Sequence, residues 1–196
     1  MRELAILTFV TLDGVMQAPG DPNEDRSGDF EYGGWAQECW SEVMELVMLN
    51  AMADPYDLLL GRTTYELFAT HFGNAEDNNP VAERLNAANK YVVTSKPLAV
   101  PWQNSRAVTG DAATEVAILK GTEGPLLQVH GSWKLLQTLH AADLIDECRL
   151  WVFPVVVGSG KRLFEGGGKP ENLKLLKTES TSSGAVMAIY RRERRK

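Results

Sequence analysis

Three short polar stretches carry the chemistry that this sequence spells out most clearly. Gly61-Arg62-Thr63-Thr64 places a glycine, a guanidinium and hydroxyls where an apolar strand pattern gives way to a helical one. The first turn of a helix has unbonded N–H groups and the positive end of the macrodipole, so an anion such as a phosphate fits there. Gly131-Ser132 repeats the arrangement: glycine lets a bulky group approach the backbone, and Ser132 can donate at the helix start or serve as its N-cap. Two such junctions on one rim of a sheet suit the paired phosphates of a dinucleotide. Thr94-Ser95-Lys96 ends a further strand with hydroxyls and an ammonium. With Arg62 available for a charge-assisted bond, it makes a cradle for a ribose phosphate, which favours NADP over NAD. Each stretch also has a plainer reading, as a glycine stop with a threonine cap, a turn glycine with a serine cap, and a polar loop before Pro97.

Other chemistries find less support. His71, His130 and His140 show no metal-ligand spacing with Cys39 or Cys148, and no serine, cysteine and histidine set forms a nucleophilic triad, so no metal is expected. Gly158-Ser159-Gly160-Lys161 lacks the spacing of a phosphate loop. His130 reads as a strand-end residue satisfied within the fold.

The elements that must position these groups follow from periodicity. Strand patterns run over Leu4–Leu12, Asp57–Leu60, Lys90–Ser95, Arg106–Thr109, Leu126–Val129 and Glu147–Phe153. Between them, helical spacing predicts one long helix from Trp35 to Ala53, with Trp40, Val43, Met44, Val47 and Met48 able to share a face. It also predicts helices from Thr63, over Val81–Ala88, over Ala112–Lys120 capped by Asp111, and over Trp133–Leu139. Gln17 to Gly34 is too rich in Pro and Gly for a regular element and reads as a lid-like loop. Leu173–Thr181 and Ala185–Arg191 around Ser182-Ser183-Gly184 predict a closing antiparallel hairpin, and Gly158, Gly160 and Gly166 to Gly168 mark the turn-rich connection before it. Alternating strands and helices imply an α/β fold, a three-layer α/β/α arrangement around a mostly parallel mixed sheet, in one domain over residues 1–196.

Five blocks, Thr11-Leu12-Asp13-Gly14, Gly61 to Glu66, Lys90 to Ser95, His130-Gly131-Ser132 and Pro154 to Phe164, closely resemble the RibD C-terminal family of the dihydrofolate reductase-like superfamily. The resemblance implies a dihydrofolate reductase-like fold. It further implies an NADPH site at Gly61, Arg62, Thr63, Thr64, Thr94, Ser95, Gly131 and Ser132, and a substrate region at Gly14, Met16, Trp35 and Pro154. Asp13 is the catalytic candidate, able to polarise or orient a ring nitrogen. The chain departs from the riboflavin-pathway reductases at Leu7, where they carry lysine, and at Thr11, where they carry serine. Among the carboxylates that could protonate a pterin, only Glu38, Glu42, Glu45 and Asp54 lie in or beside the first helical stretch.

The expectation is an NADPH-dependent reductase acting on a small pterin-like or pyrimidine-like heterocycle; the alternatives are a noncatalytic nucleotide-binding or regulatory module and a structural dimerisation protein. With 44% hydrophobic and 23% charged residues in 196, the composition is that of an ordinary globular protein. A formal charge of −6 argues against nucleic-acid binding, and the basic residues from Arg191 to Lys196 read as a solvated tail. No membrane-spanning run is evident, so a cytoplasmic location with reduced, buried cysteines is expected, and related domains suggest a homodimer.

Overall fold

The computed structural model describes residues 1–73, 79–165 and 170–193. The glycine run 166–168 and the tail 194–196 lie outside the described residues. The strands are β1 (Leu4–Thr11), β2 (Tyr56–Gly61), β3 (Lys90–Val93), β4 (Ser105–Val108), β5 (Leu126–His130), β6 (Glu147–Phe153), β7 (Leu173–Ser180) and β8 (Val186–Arg192). The α-helices are α1 (Glu42–Ala51), α2 (Arg62–Phe72), α3 (Pro80–Ala87), α4 (Ala112–Gly121) and α5 (Trp133–Ala141). All eight strands form one sheet in the order β4-β3-β2-β5-β1-β6-β8-β7. Pairings from β4 to β6 are parallel, and β8 and β7 close the sheet as the expected antiparallel hairpin.

Parallel strands need long crossovers, and the helices in these crossovers cover both faces of the sheet. Alternation along the central strand directs the layers. Leu4, Ile6 and Val10 of β1 join a core with Val116 and Leu119 of α4 and Leu135, Leu136 and Leu139 of α5. Leu7 joins the opposite core with Met44 and Met48 of α1, Tyr65 and Ala69 of α2 and Leu85 of α3. The result is the three-layer α/β architecture read from the pattern. No helix among the described residues is long and apolar enough to cross a membrane. Cys39 and Cys148 are buried free thiols.

The long helix expected from Trp35 to Ala53 is instead broken. A 3₁₀ turn occupies Gln37–Cys39, Trp40 is extended at φ −70°, ψ 133°, and only then does α1 begin. Ser41 is the reason: its hydroxyl accepts from the Met44 amide, satisfying a first-turn donor and fixing the helix start. The i, i+4 spacing of Trp40, Met44 and Met48 thus mimicked a continuous face, while Trp40 stands outside the helix and is 43% exposed.

Candidate active site

The expected rim exists at the carboxyl ends of the strands. Gly61 lies level with Val93, and Val93 with Val108, while Leu59 pairs with Val129 two residues before Gly131. The two glycine junctions are bonded to each other. The Gly61 amide donates to Ser132 Oγ at 2.9 Å, the Ser132 amide donates to Thr64 Oγ1 at 3.1 Å, and Ser132 Oγ donates to the His130 carbonyl at 3.2 Å. Ser132 therefore holds the N-cap position of α5 without capping it; its side chain serves the neighbouring junction. Gly131 and Ser132 are consecutive left-handed residues, at φ +54° and +61°. For serine this conformation costs about 1–3 kcal/mol, strain of a kind that clusters at functional sites.

Helix starts elsewhere in the chain are treated differently. Ser41, Asn79 and Asp111 cap α1, α3 and α4 with their side chains, whereas α2 and α5, the pair that meet at this rim, have no side-chain cap. First-turn amides without a side-chain acceptor are the groups that an anion would satisfy. Around them, Arg62 is 40% exposed at its side chain and, among the described residues, pairs with Glu66 at 2.9 Å. Thr63 and Ser95 are exposed. The Thr94 hydroxyl is folded onto its own turn, accepting from the Lys96 amide and donating to the Lys96 carbonyl, both at 3.0 Å. Gly61, Arg62, Thr63, Thr64, Thr94, Ser95, Gly131 and Ser132 are thus brought together on one rim, and the donor set fits a dinucleotide phosphate chain.

Beside this rim the sheet splits. β5 leaves β1 at the pair Leu7–His130, but β6 follows β1 up to Thr11–Phe153. From Thr8 to Thr11 β1 has a strand neighbour on one side only, an open edge of roughly 13 Å. On the α1 side of this projecting ribbon stands an aromatic wall. Phe9 is half-buried and meets Trp40, Trp151 and Phe153 edge-on at 5.9, 6.3 and 5.3 Å, and Trp35 meets Phe153 at 5.3 Å.

The substrate candidates are distributed over several layers. Trp35 is buried in the α1-side core and donates from Nε1 to the Gln17 carbonyl at 2.8 Å. Met16 is buried on the opposite, α5 side. Gly14, at φ +81°, forms the turn after β1 with open space about it, and Pro154 is exposed against Gly184 of the hairpin turn. Asp13 ties loops together: Oδ1 accepts from Thr11 Oγ1 at 2.6 Å and the Val157 amide at 3.3 Å, and Oδ2 accepts from the Gly158 amide at 2.8 Å. The hydrogen bond from Thr11, with those from the loop amides, holds its pKa below the usual carboxylate value. His130 is enclosed, its Nε2 3.0 Å from Gln128 Oε1 and its ring stacked on Tyr56 and edge-on to Phe68. Burial, with help from the Arg149 charge, pushes its pKa down to about 4.

Sequence reasoning missed Phe9, Trp40 and Trp151 as a wall, and Gln17 and Lys161 as the fastening of the 17–34 loop. Lys161, the last residue of the apparent phosphate-loop stretch, donates from Nζ to Asp25 and to Ser27 Oγ.

With this geometry in place, comparison with known proteins is decisive at the level of family. The sequence pattern of the RibD C-terminal domain matches residues 2–187. The chain belongs to the RibD C-terminal domain family. Two Bacillus subtilis relatives match nearly end to end: the uncharacterized protein YyaP, 30% identical over 96% of this chain and 94% of the relative, and the uncharacterized protein YwjB, 26% identical over 97% and 98%. Among solved structures, a putative riboflavin biosynthesis protein from Shewanella sp. superposes with a TM-score of 0.70 at 20% identity, covering 99% of this chain and 100% of the other. A dihydrofolate reductase from Enterococcus faecalis, complexed with NADP(H), superposes with a TM-score of 0.60 at 15% identity, covering 98% and 97%. A pyrimidine reductase-like protein from Corynebacterium diphtheriae gives 0.63 at 8% identity, covering 99% and 93%. These neighbours share the dihydrofolate reductase-like fold of this RibD domain.

Proposed function

We propose that this protein is an NADPH-dependent reductase that delivers a hydride to a small unsaturated ring, a pterin-like or pyrimidine-like heterocycle or another flat acceptor. The observation that carries the reading is the pair of uncapped helix starts, α2 and α5, clasped to each other through Gly61, Thr64 and Ser132 beside the open edge of β1. In it, the first-turn amides of α2 and α5 with Thr63 hold the phosphate chain, and Arg62 with Ser95 engages the ribose phosphate that distinguishes NADPH. Gly61, Gly131, Thr64, Thr94 and Ser132 shape the loops that present these donors. The bound cofactor would supply the hydride; the protein has to orient it, exclude water and hold the acceptor. Asp13, kept as an anion, orients by accepting hydrogen bonds and fixes the loop at Gly158. Trp35 and Met16 anchor the chain beyond β1 from opposite faces of the sheet, and Gly14 and Pro154 lie at the margins of the acceptor site. The homodimer belongs to the same reading, through the exposed edge strand β7.

Calorimetry tests it directly: NADPH should bind more tightly than NADH, and Arg62→Ala should reduce that preference about tenfold, the worth of one charge-assisted bond. Equal failure of both nucleotides to bind rejects the reading. A noncatalytic nucleotide-binding module is the second reading, favoured by the outward placement of the α1-region carboxylates; tight NADPH binding with no turnover on any ring substrate would select it.

A further inference from the structure

We propose that the acceptor is an uncharged, planar, conjugated ring that carries its own negative charge once reduced, a quinone or an isoalloxazine, seated against Phe9 and Trp40. This rests on the reductase reading and names its substrate class.

The wall is built for a flat apolar face. Phe9 and Trp40 reach the surface there, backed by Trp151, Phe153, Leu7 and Met44. Stacking on such faces is favourable for any delocalised ring. Arg149, the cation of β6 on this side of the sheet, is bound to Glu147 Oε1 at 2.7 Å and to the Ala51 carbonyl at 2.6 Å, which leaves it poorly placed to recruit a phosphorylated substrate.

The second line of argument is the proton. Reducing an imine or an aldehyde places charge on one nitrogen or oxygen, and such steps need an acid within hydrogen-bond reach. Among the described residues no carboxylic acid is placed for this. The helix positions facing the sheet are Met44 and Met48, both buried, while Glu38, Glu42 and Asp54 are exposed and Glu45 is partly so. Asp13 is held as an anion by the Thr11 hydroxyl and loop amides. His130 is kept neutral beneath Phe68 and beside Gln128. Glu24 lies in the 17–34 loop, its Oε2 receiving the Gly20 amide at 2.7 Å and the Asp21 amide at 3.3 Å, and burial raises its pKa.

A quinone or isoalloxazine avoids the difficulty. As the C4–H bond of the reduced nicotinamide breaks, its hydrogen and electron pair form a new bond to the acceptor ring. The ring's π electrons move onto a carbonyl oxygen, the charge is delocalised, and water supplies the proton afterwards, leaving oxidised nicotinamide and a two-electron-reduced ring.

The experiment combines binding and turnover in the intact protein. Menadione and riboflavin, tested separately, distinguish the two ring types. At least one should quench tryptophan fluorescence and be reduced by NADPH, at a rate flat between about pH 6 and 8.5 because no enzyme acid titrates in the step. Trp40→Ala should weaken that ring's binding about tenfold while NADPH affinity is retained. The proposal is overturned if neither ring binds or is reduced, if dihydropterin is reduced in their place, or if the rate falls as pH rises and is abolished by Glu24→Gln. Failure of NADPH itself to bind rejects the reductase reading and this assignment together, and is seen before any acceptor is added.

Discussion

Ser132 shows how much one side chain arranges here. Its hydroxyl accepts from Gly61 and donates to His130, and its amide reaches Thr64, so a residue strained at φ +61° links the ends of β2 and β5. The histidine beneath it makes a testable contribution to stability. Its pKa lies at about 4 in the folded protein against an ordinary 6.5, so between these values the unfolded chain binds the extra proton. Stability should therefore be complete above pH 6.5 and fall by about 3 kcal/mol as pH drops toward 4, a loss set by the size of the shift. Urea unfolding across that range should show the step in the wild type and not in His130→Leu. The rim residues were legible in the sequence because strand, glycine and helix start are adjacent along the chain. Phe9 and Trp40 were not, since aromatic and apolar residues in strands and near helices look alike whether they end in a core or at a surface. Asp13 was legible as a residue of interest, but its partners Val157 and Gly158 lie 144 and 145 positions away, beyond any local pattern.

Among the elements, the loop before α1 departs most from what its composition suggests. Gln17 is 4% exposed and works as a hub: Oε1 accepts from the Lys161 amide at 3.0 Å, and Nε2 donates to the carbonyls of Asp25 and Ser27 at 3.1 and 2.9 Å. The Met16 amide meets the Lys161 carbonyl, and the Leu163 amide meets the Gly14 carbonyl. The segment is thus sewn to the β6–β7 connection. Gln17→Ala should cost about 1–3 kcal/mol through the unsatisfied groups it leaves, and limited proteolysis should then cut between Gln17 and Gly34 well before the rest of the chain. Protection equal to wild type would show the hub to be dispensable. Glycine and proline announced a loop; the glutamine that orders it carries no such signal. The broken helix at Ser41 is the reverse case, a local cap overriding a periodic pattern that was itself real.

For the whole molecule, the layer order was legible because alternation along β1 divides two cores cleanly. The edges were less so. β7 is an edge strand with Leu175 and Leu176 49% and 47% exposed, an arrangement that isolated monomers tend to avoid. If this edge forms the homodimer contact, the wild type should elute as a dimer in light-scattering chromatography and Leu175→Lys with Leu176→Glu as a monomer. A wild-type monomer would remove the homodimer from the functional reading.

The clasp between the Gly61 and Ser132 junctions is made wholly of protein atoms, so no outside group is needed to close it. On the proposed reading, a nucleotide would meet junctions already joined to each other, with little disorder to freeze out on its arrival. Encounter, more than rearrangement, would then set the pace of association, and discrimination would fall to the slower business of leaving.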